Sequence, residues 1–210
     1  MSPRPRTTSD EHILGATYRV VSRLGPNLTL ADVAKEAGVS PATLVQRFGS
    51  KRGLLLAFAS AGSGALGEEF DQIRRQHRSP IAAIYATAEC MAAMAVTPET
   101  LSNSLAFLQI DLTDPEFHKH ALAHSRATHV EMTRLLDEAV AAGELKPCDT
   151  RRLARAIQAL MGGSLLQWAV ERDGPAAARM REDLEVLLDP LLRARRRRRR
   201  GARKTRRRQP

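Results

Sequence analysis

Aromatic residues, cysteines and long apolar runs are all scarce in this chain of 210 residues. Phe, Trp and Tyr make up only 4% of the sequence, while alanine and leucine are plentiful and few stretches alternate as strands do. This composition predicts an all-α fold. No apolar run approaches the roughly 20 residues that a membrane-spanning helix needs, and the first residues lack the apolar centre of a signal peptide. We therefore expect a cytoplasmic protein.

Groups that would support catalysis or metal binding are equally scarce. Cys90 and Cys148 lack metal-site spacing and fall in separate predicted helices, which favours a reduced, cytosolic chain. Four histidines share one predicted helix, but no cysteine or carboxylate completes a ligand set, so surface histidines are the better interpretation. The sequence shows no glycine-rich phosphate loop, no serine elbow and no paired carboxylates at a recognisable site. We predict no enzymatic activity, no cofactor and no metal.

Positive charge is concentrated at one end of the sequence. Residues 193–210 contain twelve Lys or Arg and no acid, which is a formal charge of +12. The whole chain carries +10, so the remaining residues carry a net charge of −2. The segment has no apolar periodicity, and we expect residues 194–210 to be a disordered, arginine-rich tail. Such a tail either adds sequence-independent attraction to phosphates or is a tolerated extension with no specific role.

The most informative stretch is LTLADVAKEAGVSPATLVQRFGSKRG, residues 28–53. A hydroxyl cap with a carboxylate three residues later begins one helix, a glycine ends it, and a second hydroxyl followed by proline begins another. These signals are, in order, Thr29, Asp32, Gly38, Ser40 and Pro41. They predict a helix-turn-helix whose second helix has the size to enter a major groove of DNA.

This order of residues resembles the DNA-binding domain of the TetR (tetracycline repressor) family of bacterial regulators. The family usually shows a threonine at the start of its second helix, followed by D-[IV]-A-x-x-A-G-V-S-x-x-T-[LI]-Y-x-[YH]-F-x-[SN]-K-x-x-L. The matching residues here are Thr29, Asp32, Val33, Ala34, Ala37, Gly38, Val39, Ser40, Thr43, Leu44, Phe48, Ser50, Lys51 and Leu54. The chain departs at Val45 and Arg47, where the family usually has aromatic residues. We expect a charged contact from Arg47 there, and either a thymine-methyl contact or simple packing from Val45.

The resemblance implies a sequence-specific DNA-binding regulator, interpreted as a repressor that a small-molecule ligand releases from a palindromic operator. A non-specific, nucleoid-type protein acting through the arginine-rich tail is the alternative. Gln46 and Thr43 are predicted to reach base edges, and Arg47 either guanine or phosphate. Phosphate contacts are predicted for the residues at the helix starts. The full predicted DNA-binding set is Thr29, Ser40, Pro41, Ala42, Thr43, Val45, Gln46, Arg47 and Lys51.

The predicted organisation is a helix-turn-helix domain over residues 1–53, a helical regulatory and dimerisation domain over residues 54–193, and the tail. An N-terminal arm carrying Arg4 and Arg6 either reaches DNA or is merely flexible. Further helices are predicted from about residue 50 and over about residues 80–96, 98–108, 115–143, 149–171 and 175–193. Three glycines in the fourth helix predict a bend, a break or very close packing. They are Gly62, Gly64 and Gly67.

The larger domain is expected to bind the effector and to form the contact with a second copy of the chain. By resemblance, a ligand would sit among the middle helices, although a methionine stripe at helical spacing is more often plain core than the lining of a ligand site. The candidate lining residues are Met91, Met94, Phe107, His124, Thr128 and Trp168. Apolar and small residues on the last two helices either form a homodimer interface or pack within one chain. These are Ala156, Leu160, Gly163, Gln167, Leu184, Leu187, Leu188 and Leu191.

Overall fold

The computed structural model describes residues 8–93 and 95–193, which form nine α-helices and two short 3-10 turns. The helices are α1 Asp10–Leu24, α2 Leu30–Ala37, α3 Pro41–Phe48, α4 Lys51–Gln76, α5 Pro80–Ala93, α6 Pro98–Thr113, α7 Pro115–Ala141, α8 Thr150–Glu171 and α9 Ala176–Leu188. No strand occurs in the described ranges, so the predicted all-α fold is confirmed. Within them, no single helix is both long and apolar enough to cross a membrane, and the pair α5 and α6 passes that test only across a 93° bend.

Local capping signals set most helix starts. Ser9 accepts a hydrogen bond from the His12 amide at the start of α1. A cap followed by proline begins α3, at Ser40 as predicted, and also α7, at Asp114. The predicted helix ends are less accurate. Helix α5 ends at Ala93 and not at about residue 96. Helix α9 ends at Leu188 and not at about residue 193, and a 3-10 turn over Asp189–Leu191 follows it. Pro190 lies in that turn, where its missing N–H interrupts the α-helical ladder.

The glycines of α4 do not interrupt it. The helix runs for 26 residues without a break. A Cβ atom added at Gly62, Gly64 or Gly67 would meet nothing within 4 Å. The predicted break and the predicted close packing are therefore both wrong within the described chain, because the three glycines lie on the exposed side of α4 while Leu66 between them packs into the larger core.

Two hydrophobic cores divide the described chain. The larger core lies among α4, α5, α7, α8 and α9. The smaller one unites α1, α2 and α3, and Leu54 and Leu55 at the start of α4 belong to it. Leu28, just before α2, also belongs to it, as do Phe107 from α6 and Phe117 from α7. The small N-terminal unit therefore completes its core with residues from the middle of the sequence.

Polar contacts reinforce the junction between the N-terminal unit and the larger one. The Asn103 amide nitrogen on α6 donates to the carbonyl oxygens of Ser22, at 3.1 Å, and Arg23, at 2.8 Å. The Arg52 guanidinium forms ion pairs with Asp114 and Glu116, and it lies 5.2 Å from the ring centroid of Phe117. These contacts fix the N-terminal unit on the ends of α6 and α7.

Candidate nucleic-acid interface

Helices α2 and α3 form a rigid pair around a left-handed glycine. Gly38 has φ 67° and ψ 32°, the conformation predicted for the turn. The Val39 amide donates to the Ala34 carbonyl at 2.9 Å, which closes the end of α2. Val33 and Leu44 are fully buried between the helices. The pair therefore presents the opposite face of α3 outwards.

The outward face of α3 consists of the residues expected to meet DNA. Pro41, Ala42, Val45 and Gln46 are all exposed, and Val45 retains 48% of its accessible surface. Among the described residues, Gln46 makes no hydrogen bond, so its amide is available to a base edge. This face is short, polar at its centre and free of covering side chains.

The hydroxyl groups at the helix starts are already engaged as caps. The Ser40 Oγ accepts from the Thr43 amide at 3.1 Å and lies 2.9 Å from the Thr43 Oγ1. The Thr29 Oγ1 donates to the Asp32 carboxylate at 2.6 Å, and the Thr29 amide donates to the same oxygen at 2.8 Å. These hydrogen bonds lower the pKa of Asp32. Both donors of Thr29 would have to leave Asp32 before they could bind a phosphate.

The two cations predicted to contact DNA also have partners within the chain. The Arg47 guanidinium donates to the Thr8 carbonyl and pairs with Asp10 at 3.0 Å, leaving 23% of its side chain exposed. The Lys51 Nζ donates to the Pro26 carbonyl at 2.7 Å. Arg47 lies on α3 and Lys51 begins α4. Sequence reasoning did not foresee their contacts, because each partner lies more than twenty residues away.

The residues predicted to line a ligand site do not gather around one cavity. Phe107 lies in the N-terminal core, where its ring meets Phe58 and Phe117 edge-on at 6.3 and 6.1 Å between centroids. Phe107 therefore packs with two rings of the N-terminal core and lies apart from Met91 and Trp168. Met91 and Trp168 belong to the larger core, and the Trp168 indole donates to the Gly174 carbonyl at 2.9 Å.

Two further candidates lie towards the surface of α7. His124 is exposed, and Thr128 is half-buried, with its hydroxyl donating to the His124 carbonyl at 2.9 Å. Met94 lies outside the described residues. Among the described residues, no group of three or more His, Cys, Asp or Glu side chains is arranged to hold a metal ion.

A cavity of about 750 Å³ lies elsewhere, against the start of α5 and the end of α9. Its walls include Tyr85, Glu89, Glu144 and Arg181. The Arg181 guanidinium pairs with Glu89 and lies 4.9 Å from the Tyr85 ring centroid. Glu144 is held by the Ser79 hydroxyl, at 2.8 Å, and by the Ile81 amide, at 3.1 Å. The sequence offers no local signal for this cavity, because its walls come from four separated segments.

The predicted dimer residues fall into two groups. Ala156, Gly163 and Gln167 are exposed along α8, while Leu160, Leu187 and Leu191 are half-buried. Leu184 and Leu188 are fully buried in the chain's own core, so their assignment to the interface is wrong. They turn inwards against α5 and α8, and the exposed side of α9 carries Val186 instead, at 78% exposure.

Gly53 is a further residue that the sequence analysis missed. It lies where α4 begins, and a Cβ atom there would stand 2.0 Å from the Phe48 carbonyl oxygen. Its amide also donates to the Ser50 hydroxyl, the cap of α4. Only glycine lets α3 and α4 meet this closely, so Gly53 fixes how α3 projects from the N-terminal unit. The short turn between α3 and α4 was the signal in the sequence from which the role of Gly53 could have been predicted.

The fold and the exposed α3 face define a helical, helix-turn-helix DNA-binding protein. The family model described as "Bacterial regulatory proteins, tetR family" matches residues 13–58, and the model described as "BetI-type transcriptional repressor, C-terminal" matches residues 85–193. The chain belongs to the TetR family and is a DNA-binding transcriptional regulator, as its sequence predicted. The two matched regions cover the whole of the smaller core and most of the larger one, whose residues on the second half of α4 and the start of α5 lie between them.

Relatives and solved structures agree with this assignment. The HTH-type transcriptional regulator BetI of Brucella canis is 27% identical over 170 residues, which are 79% of this chain and 82% of that protein. A putative transcriptional regulator from Saccharomonospora viridis, solved in complex with choline, has a TM-score of 0.69 at 18% identity and covers 88% of this chain and 98% of its own. FadR from Bacillus subtilis, in complex with stearoyl-CoA, has a TM-score of 0.65 at 17% identity. The match covers 87% of this chain and 100% of FadR.

Proposed function

We propose that the chain is a cytoplasmic repressor that binds a palindromic operator as a homodimer. The observation that carries this proposal is the exposed face of α3, with the exposed amide of Gln46 at its centre. Each subunit would insert α3 into the major groove of one half-site, with Gln46 and Thr43 at base edges. Two-fold symmetry of the protein would then match the symmetry of the operator.

Selection of bound sequences from a random DNA pool, followed by footprinting, tests the operator. A discrete palindrome should be enriched and protected. Gln46→Ala should relax preference at one base position, at a cost of about 1–3 kcal/mol. Gln72→Ala, which removes an exposed amide from α4, is the matched control and should leave affinity unchanged. Enrichment of no sequence by the wild-type chain would contradict the proposal and favour non-specific binding.

The surface shared by α8 and α9 supports the dimer. Leu166 and Val170 retain 48% and 80% of their accessible surface on α8, and neighbouring exposed apolar side chains are typical of protein–protein contact surfaces. Between them and Val186, Gly163 and Gln167 line a shallow depression of about 440 Å³. Small residues at its centre would let the same two helices of a second copy approach closely and form a four-helix bundle.

Sedimentation of a glycine variant tests this interface. A Cβ atom at Gly163 meets nothing within 4 Å, so Gly163→Lys should not disturb the single chain. At a two-fold interface it would place a charge against its own copy, and we expect the variant to sediment as a monomer. Gly62→Lys is the matched control, because that glycine also lies in a helix and faces open space. A wild-type monomer at micromolar concentration would refute the dimer.

We also propose that a small organic effector releases the operator. The choline and stearoyl-CoA complexes of proteins with the same fold support this, although their ligands differ too much to identify one here. Met91, Thr128 and Trp168 remain the proposed lining, since two of them reach into the larger core between α5, α7 and α8. Moving a two-state equilibrium from 1:99 to 99:1 needs about 5.5 kcal/mol of differential affinity. Trp168, the one tryptophan of the chain, supplies a fluorescence signal for titrations with candidate effectors.

A further inference from the structure

The cavity between the start of α5 and the end of α9 has an arginine in its wall that a short backbone bridge holds in place. The Arg193 amide donates to the Glu144 carbonyl at 2.9 Å. Leu192, the residue before it, forms an isolated antiparallel bridge with Leu145. The Arg193 guanidinium lies beside Gly143, with one nitrogen 3.9 Å from the position that a Cβ atom would take there. The turn after α7 therefore fixes a cation in the cavity wall.

Both carboxylates of the wall are balanced by contacts within the chain. One oxygen of Glu144 accepts hydrogen bonds from the Ser79 hydroxyl, at 2.8 Å, and from the Ile81 amide, at 3.1 Å. Ile81 lies in the first turn of α5, where the helix dipole favours negative charge. The Glu89 carboxylate accepts two hydrogen bonds from the Arg181 guanidinium. Neither acid of the wall therefore needs a cationic ligand.

The other polar groups of the wall favour an anion. Across the part of the chain that the structure describes, the Arg193 guanidinium forms no ion pair and the Tyr85 hydroxyl forms no hydrogen bond. Burial raises the pKa of Tyr85, so its hydroxyl stays protonated at neutral pH and can donate. The His77 ring lies in the same wall. A guanidinium binds a carboxylate through two parallel hydrogen bonds, which makes Arg193 the natural anchor for one.

The remaining wall is apolar, and the size of the cavity suits a small organic molecule. Ala82, Ala86 and Leu192 contribute apolar surface next to the Tyr85 ring. The cavity volume of about 750 Å³ falls in the range of roughly 300–1,000 Å³ that is typical of small-molecule sites. An apolar wall with a few polar groups at fixed positions is also typical of such sites.

We propose that this cavity binds a small organic carboxylate, whose charged group pairs with Arg193 and whose apolar body lies against Tyr85 and the two alanines of α5. The site is separate from the effector lining proposed above, because Met91, Thr128 and Trp168 are not part of this wall. Binding here does not depend on the operator, so it can be measured on the protein alone.

Calorimetric titration of the full-length chain with three compounds of one skeleton tests the charge preference. Phenylbutyrate, phenylbutyramide and phenylbutylamine share an apolar body and carry a negative, a neutral and a positive head group. We expect phenylbutyrate to bind at least about tenfold more tightly than the amide, and the amine to bind most weakly. Equal or tighter binding of the amine would overturn the inference, because the acids of the wall would then dominate. Undetectable binding of phenylbutyrate up to about 10 mM would overturn it as well.

Two arginine variants separate the cavity from general attraction to a basic chain. Arg193→Gln should weaken the binding of phenylbutyrate about tenfold. Arg151→Gln is the matched control, because it removes the same charge from an exposed position at the start of α8, outside the cavity wall. The control should bind phenylbutyrate as the wild type does. Equal losses in the two variants would contradict the proposed site.

A variant that fills the cavity gives an independent readout. Ala86→Trp adds bulk inside the cavity while Arg193 stays in place, and it should abolish the binding of phenylbutyrate. Thermal unfolding without ligand checks that the variant is folded. A folded variant with wild-type affinity would show that the anion binds elsewhere. Because these titrations contain no DNA, a chain that selects no operator would refute the proposed function and leave this site standing.

Discussion

Replacing Phe107 by alanine should destabilise the N-terminal unit. Phe107 is 8% exposed and meets two other rings edge-on, so its removal leaves a cavity at the junction with α6. Truncation of a buried phenylalanine costs about 3–5 kcal/mol, and the lost ring pairs account for part of that cost. For a chain of this size, about 2–4 °C of Tm is lost per kcal/mol, so we expect Tm to fall by roughly 6–20 °C.

Circular dichroism during heating, together with operator binding at low temperature, measures this effect. Leu105→Ala is the matched control, because Leu105 lies on the same helix with 37% of its surface exposed, and it should change Tm far less. Operator binding by the Phe107 variant should fall along with its stability. If Phe107→Ala kept the wild-type Tm and weakened only effector binding, our assignment of this ring to the N-terminal core would be refuted.

Two further predictions concern α4 and the α6–α7 junction. Gly53→Ala should destabilise the fold by about 1–3 kcal/mol, because its Cβ would clash with the Phe48 carbonyl, whereas Gly62→Ala should stabilise it by up to about 1 kcal/mol in urea unfolding. Pairing with Arg52 lowers the pKa of Asp114 to about 2, so its stabilising effect is present above pH 4 and lost as pH falls towards 2. In Asp114→Asn, the free energy of unfolding should change less between pH 4 and pH 2, and its dependence on pH between 6 and 8 should stay as in the wild type. An unchanged loss of stability below pH 4 in the variant would contradict this role of Asp114.

The sequence predicted the helix-turn-helix well because its signals are local. The caps at Thr29 and Ser40 and the turn at Gly38 each act within about four residues. Nothing comparable marks the contact of α6 with α1, so the place of Phe107 in the N-terminal core could not be read from spacing. That place depends on a contact between α6 and α1, which are about eighty residues apart in the sequence. The hydrogen bond from Asn103 to Ser22 belongs to the same contact.

Two of the residues predicted for the dimer interface were wrong for a different reason. Helix α9 has apolar residues on more than one face, and periodicity alone does not say which face the same chain covers. Leu184 and Leu188 turn inwards, while Val186 remains exposed. The orientation of Arg47 was equally hidden, because a long side chain beside α3 can reach DNA or its own chain with the same sequence pattern.

The last described residue is held at the end of α4 that lies away from the reading helix. Arg193 donates its amide to the Glu144 carbonyl at 2.9 Å and lines the same cavity as His77, the C-cap of α4. The predicted arginine-rich tail that follows lies outside the described residues. The 26 residues of α4 span about 39 Å between the cavity and Lys51 beside the reading helix. One unbroken helix therefore connects the wall of this cavity with the DNA-reading end of the chain.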